Sequence, residues 1–228
     1  MSRAYRTIAV SDEDARAFRD DYGVRRIDVV ENGVDTAYFR PLGTTRQPNQ
    51  LLFLGSLDWR PNLDGVDQLL QKVFPAVRDA EPEARLVIVG RNPPSWLRRR
   101  VRQCQGVELH ANVADARPYL ACCGMLVVPL RIGGGSRIKI LEALASGLPV
   151  VSTRIGAEGL DLVAGTHLSI VDTIGDLIPS ILNGIRRPEA IADQASRARQ
   201  VVIAKYDWDR LSIKLERIWS DCLASGRA

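Results

Sequence analysis

The chain has 228 residues, 46% hydrophobic and 25% charged, enough for one large domain with a buried core or for a domain with an appendage. Its formal net charge of +4 comes from arginines scattered along the sequence without a long basic block, a balance that suits phosphate-bearing ligands and does not point to nucleic acid. No apolar run approaches the roughly twenty residues of a membrane span, and the N-terminus lacks a signal-peptide core, so membrane contact is expected to be peripheral at most.

In chain order, "TIAV" (7–10) reads as a strand feeding a helix, with Ser11 as N-cap and Asp14 as the acid of a capping box. "IDVV" (27–30) is a second strand, and "ENGVDTAYFRPLGTTRQPN" (31–49) reads as an Asn-Gly turn and a polar connector. Strand-like runs then recur at "LLFLG" (51–55), "RLVIVG" (85–90), "VEL" (107–109), "MLVVPL" (125–130), "PVVST" (149–153) and "HLSIV" (167–171). Between most of them apolar residues fall three or four apart, as in Val66, Leu69, Leu70, Val73 and Val77. That alternation predicts an α/β fold, a doubly wound parallel sheet built from right-handed βαβ units.

"WLRRRVRQC" (96–104) sets arginines around Leu97 and Val101 at helical spacing; a solvated helix face is the plain reading, a nucleic-acid or lipid-headgroup patch the alternative. Cys104, Cys122, Cys123 and Cys222 form no metal or disulfide pattern, which predicts reduced thiols in a cytoplasmic compartment. "YDWDRLSIKLERIWSDCLA" ends the chain with Trp208, Leu211, Leu215, Ile218 and Cys222 on one face of a helix capped by Asp207. The expected division is 1–35 as a remnant of an N-terminal domain, 36–49 as linker, 50–205 as the main domain and 206–228 as an amphipathic helix. Apolar surface is expected at both ends of the chain.

The stretch richest in chemistry is "VVPLRIGGGSRIKILEALASGLPVVST" (127–153). A strand, a loop holding Gly133, Gly134 and Gly135, and a helix starting near Ser136 would present backbone N–H groups to an anion such as phosphate. Gly135, Lys139, Glu142 and Ser146 fall on one helical stripe, while Ile138, Leu141 and Ala145 are expected to be buried. Lys139 can reach an anion near the helix start, Glu142 can accept hydrogen bonds from a ribose diol, and Arg137 adds a planar donor fork. An ordinary surface pair and a flexible loop would have the same spacing.

The segments "ENGVDTAYFRP", "LLFLGSLDWRPNLDGV", "ARLVIVGRNPP", "VELHANVADARPYL" and the glycine-rich stretch together resemble the C-terminal half of family 4 type retaining glycosyltransferases of GT-B architecture. The resemblance implies a Rossmann-like domain that holds a nucleotide diphosphate sugar, UDP- or GDP-linked. It implies no cofactor or divalent metal and an acceptor of unknown kind, a sugar or a lipid-linked group. A further N-terminal domain would be needed for that acceptor. By the resemblance Gly134, Gly135 and Ser136 meet the diphosphate, Glu142 binds the donor ribose, and Arg137 and Lys139 neutralise the leaving group as catalytic cations. His110 edges the base pocket, and Arg60 stands approximately where the family has a lysine, with a helix-entry turn before Pro61 and Asn62 as its other reading. One departure is that Gly134 occupies the position of the family's first acid, which removes a carboxylate contact to the donor sugar. Three functions fit this reading: the donor half of a glycosyltransferase, a nucleotide-sugar binding module without turnover, and a nucleotide-sugar epimerase.

Overall fold

The computed structural model describes residues 5–133 and 137–225. Gly134, Gly135 and Ser136, with the phosphate contacts expected of them, lie outside the described residues. A short unit comes first: β1 (Thr7–Ala9), α1 (Asp12–Tyr22) and β2 (Ile27–Val29). Then come β3 (Gln47–Leu54) and α2 (Arg60–Gln68), which continues through a π-helical stretch (Leu69–Val73) into α3 (Phe74–Ala80). β4 (Arg85–Gly90), α4 (Ser95–Gln103), β5 (Val107–Ala111), α5 (Arg117–Cys122) and β6 (Cys123–Val128) follow. The rest is α6 (Ile138–Ala145), β7 (Val150–Thr153), α7 (Arg154–Ala157), β8 (Ser169–Val171), α8 (Leu177–Arg186), α9 (Pro188–Lys205) and α10 (Trp208–Ser225). All eight predicted strands are present; β3 starts earlier than expected, at Gln47, and β5 runs on to Ala111.

β1 and β2 pair with each other, and the other six strands form one sheet in the order β5-β4-β3-β6-β7-β8. Every pairing between these strands is parallel. This is the predicted doubly wound arrangement, in which the chain winds outward from β3 in one direction and then from β6 in the other. Helices cover both faces of the sheet, so its strands read as continuous apolar runs. Alternate residues serve opposite faces. Leu52, Val87, Val89, Leu126 and Val128 pack under Ile140, Leu141 and Leu144 of α6 and Val202 of α9. Leu51, Phe53, Leu86, Ile88, Met125 and Val127 pack under Val66, Leu69 and Val73, with Leu97 and Val101 of α4 on the same side. The arginine-rich helix thus buries the two apolar residues its spacing predicted and exposes Arg98, Arg99 and Arg102.

The first unit carries a much smaller core. Val30 packs on Leu211 and Ile218 of α10, with Leu215 and Cys222 beside them. Tyr22, Trp219 and Leu223 remain more than half exposed, in keeping with the apolar surface expected at both ends. At α1 the Ser11 side chain accepts from the Asp14 N–H at 3.0 Å, while its own hydroxyl donates to the Asp14 carboxylate at 2.8 Å. The box therefore closes through the two side chains. Gly23, at φ 65°, ends the helix in the left-handed conformation.

Two local expectations are corrected. Asn32-Gly33 forms no left-handed turn. Gly33 is there for close approach: a Cβ on it would stand 2.7 Å from Leu211 Cδ1 and 2.9 Å from the Tyr206 carbonyl, where the Val34 N–H donates to that carbonyl at 2.8 Å. Ile138, expected in the core with Leu141 and Ala145, is 41% exposed; it is the first residue of α6, and the buried face of the helix is made by residues further along it.

Candidate functional site

In a doubly wound sheet the two strands where winding reverses leave a crevice beyond their C-terminal ends, because their following loops depart to opposite sides. Here that point lies between β3 and β6. The first wall is the turn Gly55-Ser56 after β3. The Gly55 N–H donates to the Val89 carbonyl at 3.1 Å, and the Leu57 N–H to the Arg91 carbonyl at 2.7 Å, which stitches this turn to the end of β4. Gly90 must be glycine: a Cβ there would lie 2.1 Å from the Gly55 carbonyl oxygen. The Asn112 N–H in turn donates to the Gly90 carbonyl at 2.9 Å, and the Asn112 side chain accepts from the Asn92 N–H at 2.9 Å. Asn92 and Asn112 both hold positive φ, at 52° and 55°, a conformation asparagine tolerates better than most residues.

Helix α6 forms the opposite wall. Lys139 is half-buried, and its Nζ donates to Asn62 Oδ1 at 2.8 Å and lies 5.2 Å from the centre of the Phe53 ring. Asn62 is 3% exposed and fixed from its other end, Nδ2 donating to the Ser56 carbonyl at 2.8 Å. A Cβ on Gly55 would stand 2.7 Å from Asn62 Nδ2 and 2.9 Å from Lys139 Nζ, so the glycine lets a cation and an amide sit directly on the backbone at the end of β3. Burial pushes the Lys139 ammonium down to about 8, the nearby Arg137 charge adds to that, and Glu142 opposes it. Glu142 is raised above the ordinary carboxylate range by burial, with Lys139 opposing. A lysine whose charge is costly in the free protein gains most from an incoming anion.

Glu142 lines a cavity of about 390 Å³ together with Gly55, Ser56, Gly90, Arg91, Asp115 and Tyr38. Asp115 is held by Arg117 through bonds of 2.8 to 3.0 Å, and the hydrogen bonds from Arg117 hold its carboxyl below the usual range. The Arg117 guanidinium lies 3.8 Å from the centre of the Tyr38 ring. Arg91 donates to Ser56 Oγ at 3.1 Å, and both residues line the cavity. A chamber lined by Asp115, Glu142 and Arg91, with Lys139 beside Gly55, offers acceptors for hydroxyl donors and cations for an anion.

Lys139 and Glu142 therefore come together at the crevice. Arg137 does not present its guanidinium there: it is 3% exposed, and Nη2 donates to the carbonyls of Gly133 at 2.9 Å and Ile155 at 2.6 Å. Arg60, the first residue of α2, is exposed on a separate groove beside Trp96 and Arg99. The following residues of α2 turn inward: Pro61 packs where a Cβ on Gly133 would fall, 3.0 Å away, and Asn62 meets Lys139. His110 lies outside the cavity lining, 3.3 Å from Glu108 Oε2 with its ring centre 4.9 Å from that of Tyr119. His167, outside the predicted site, accepts the Val163 N–H at Nδ1, a turn-closing bond of 2.9 Å.

Sequence reasoning passed over Asn62, Arg91 and Asp115 as site residues. Arg91 carried a signal, as the first residue past a strand whose C-terminal end faces the crevice. Asn62 carried none, since its role depends on the distance between α2 and α6.

Residues 48–200 match the family model "Glycosyl transferases group 1". A glycogen synthase of Mycobacterium tuberculosis is 25% identical over 208 residues, 86% of this chain and 49% of the relative. The GDP-mannose:cellobiosyl-diphosphopolyprenol alpha-mannosyltransferase of Xanthomonas campestris is 24% identical over 213 residues, 89% of this chain and 55% of the relative. The chain thus spans about half the length of these curated relatives. Among solved structures, TarM superposes with a TM-score of 0.80 at 15% identity, over 95% of this chain and 43% of TarM. Anabaena Alr3699/HepE in complex with UDP gives 0.77 at 18% identity, over 96% of this chain and 64% of its own. These likenesses carry the fold, a parallel sheet of the Rossmann-like type found in GT-B glycosyltransferases. Together with the matched segment, which takes in the whole six-stranded sheet apart from the first residue of β3, they establish that the chain belongs to the group 1 glycosyl transferases.

Proposed function

We propose that the chain holds a nucleotide diphosphate sugar at the C-terminal edge of its six-stranded sheet and serves as the donor side of a retaining glycosyl transfer. The observation that carries this is the joint placement of Lys139, Asn62 and Glu142 against Gly55 at the point where the sheet's winding reverses. Glu142 accepts the ribose hydroxyls. Lys139 faces the diphosphate, helped by the backbone N–H groups of 134–136, a role that rests on sequence for those three residues. Charge builds on the diphosphate as the glycosyl bond breaks, so a cation already partly desolvated and held by Asn62 stabilises the transition state more than the ground state. The relatives bear on the base in two ways. The Xanthomonas enzyme is named for GDP-mannose and the Anabaena structure contains UDP.

We propose further that the acceptor approaches from across the crevice and is bound by residues of a second lobe, as the greater length of the relatives suggests. In that arrangement this chain binds donor, and transfer requires both lobes. The test is equilibrium titration of wild type and Lys139→Ala with UMP, UDP, GMP and GDP. The expected result is that one base series binds, that its diphosphate binds more tightly than its monophosphate, and that Lys139→Ala removes most of that difference. A diphosphate gain that survives in Lys139→Ala would remove Lys139 from the phosphate site.

A further inference from the structure

Arg137 precedes α6 beside the proposed donor site, and its effect on nucleotide binding rests on the donor-site reading above. An arginine in the first turn beside a phosphate-binding segment would ordinarily be assigned to the phosphates. Its geometry here is that of a clamp. The Nη2 group donates to Gly133 O at 2.9 Å and Ile155 O at 2.6 Å, and stands 3.5 Å from Glu158 Oε2, with the residue 3% exposed. These acceptors belong to different parts of the chain: Gly133 opens the glycine-rich segment, whereas Ile155 and Glu158 lie in and just after α7.

The α7 turn is itself locked to the sheet. The Thr153 hydroxyl donates to Leu130 O at 2.5 Å and accepts the Gly156 N–H at 3.1 Å. A Cβ on Gly156 would lie 2.4 Å from Ser152 Oγ and 2.9 Å from Val128 O, so this turn packs directly on β6 and β7 and leaves no room for a side chain. Arg137 stands at the N-cap position of α6 without a side-chain capping bond there. Its side chain reaches instead to the locked turn. Pulling it toward a phosphate would strip hydrogen bonds from two carbonyls, a cost that rises with burial.

We propose that Arg137 is a positioning residue, which fastens the start of α6 and the Gly133 end of the glycine-rich segment to the α7 turn and so fixes Lys139 and Glu142 relative to the end of β3. Glu158 is its counter-charge and lines the neighbouring cavity with Glu13, Asp14 and Glu31. Among the described residues the groups facing Lys139 are Arg137 at the N-cap of its helix, Glu142 within it, Asn62 from α2 and the Phe53 ring from β3. The Arg137 charge therefore adds to the effect of burial at Lys139.

The test compares wild type, Arg137→Met and Arg137→Lys with the nucleoside mono- and diphosphates of whichever base binds, across pH 6 to 9.5. A clamp that places both the ribose carboxylate and the phosphate cation predicts that Arg137→Met weakens mono- and diphosphate by a similar factor, roughly tenfold, the worth of one charge-assisted hydrogen bond. It also predicts that the pH at which diphosphate affinity declines moves upward in Arg137→Met and stays in place in Arg137→Lys, which keeps the charge. A loss confined to the diphosphate would make Arg137 a phosphate ligand and overturn the proposal. Amide exchange without nucleotide covers failure of the donor-site reading itself. If no nucleotide binds wild type, faster exchange in both 138–142 and 154–158 of Arg137→Lys still supports the clamp, and unchanged exchange in both overturns it. That arm uses the conservative variant, so it does not depend on Arg137→Met folding.

Discussion

The two parallel sheets of this chain differ in how they are buried. In β4 the residues from Leu86 to Val89 are each at most 4% exposed and lie between helices on both faces. In β1 only Ala9 is buried, and the three buried apolar residues that join the first unit to α10 are Val30, Leu211 and Ile218. A parallel sheet requires cover on both faces, and a two-stranded one has little area to bury, so stability in this chain resides in the six-stranded sheet. The proposed donor site lies on this sheet, on turns fixed by backbone hydrogen bonds between strand ends.

Several changes would break or sharpen that contrast. Leu126→Ala, at a fully buried position in the sheet, should cost about 3 to 5 kcal/mol in chemical denaturation, the usual range for a leucine cavity that cannot collapse. Gly90→Ala should cost about 3 kcal/mol, because its new methyl group meets the Gly55 carbonyl rather than a side chain that can turn away. If Gly90→Ala were as stable as wild type, the fixed contact between the two strand-end turns would be disproved.

The pH dependence of donor binding tests the site itself. With the Lys139 ammonium lowered to about 8 from its ordinary value of 10.5, the protonated form favoured by an anion prevails below pH 8. Diphosphate affinity should then fall by up to about tenfold per pH unit above that pH, as the linkage of one proton requires. A flat profile to pH 9.5 would mean that Lys139 does not meet the phosphates. The smallest effect is expected in the first unit: Ile218→Ala should cost about 1 to 2 kcal/mol, with the loss of exchange protection confined to α1, β2 and α10. Loss of protection in β4 as well would show that the two sheets unfold together.

Much of this was legible in the sequence, for reasons that differ by residue. The strands could be read because continuous apolar runs such as "RLVIVG" are what a doubly covered sheet demands, and Lys139 and Glu142 because a three-residue spacing places them on one helical stripe. Asn62 and the inward turn of Arg137 were not legible, since each is fixed by contacts between segments distant in sequence: Asn62 with Lys139, and Arg137 with Ile155. Gly33 was misread for the same reason. Beside asparagine it looks like a turn, and only the packing of α10 against it shows the need for a missing side chain.

The most direct test of the central claim is calorimetric titration of the purified chain with UDP and GDP, repeated on Glu142→Ala. The account predicts saturable binding of one of them, weakened about tenfold or more by the substitution, in line with loss of a charged hydrogen-bond acceptor to the ribose. Binding of equal strength in wild type and Glu142→Ala, or no binding of either nucleotide, would contradict the placement of the donor at this edge of the sheet.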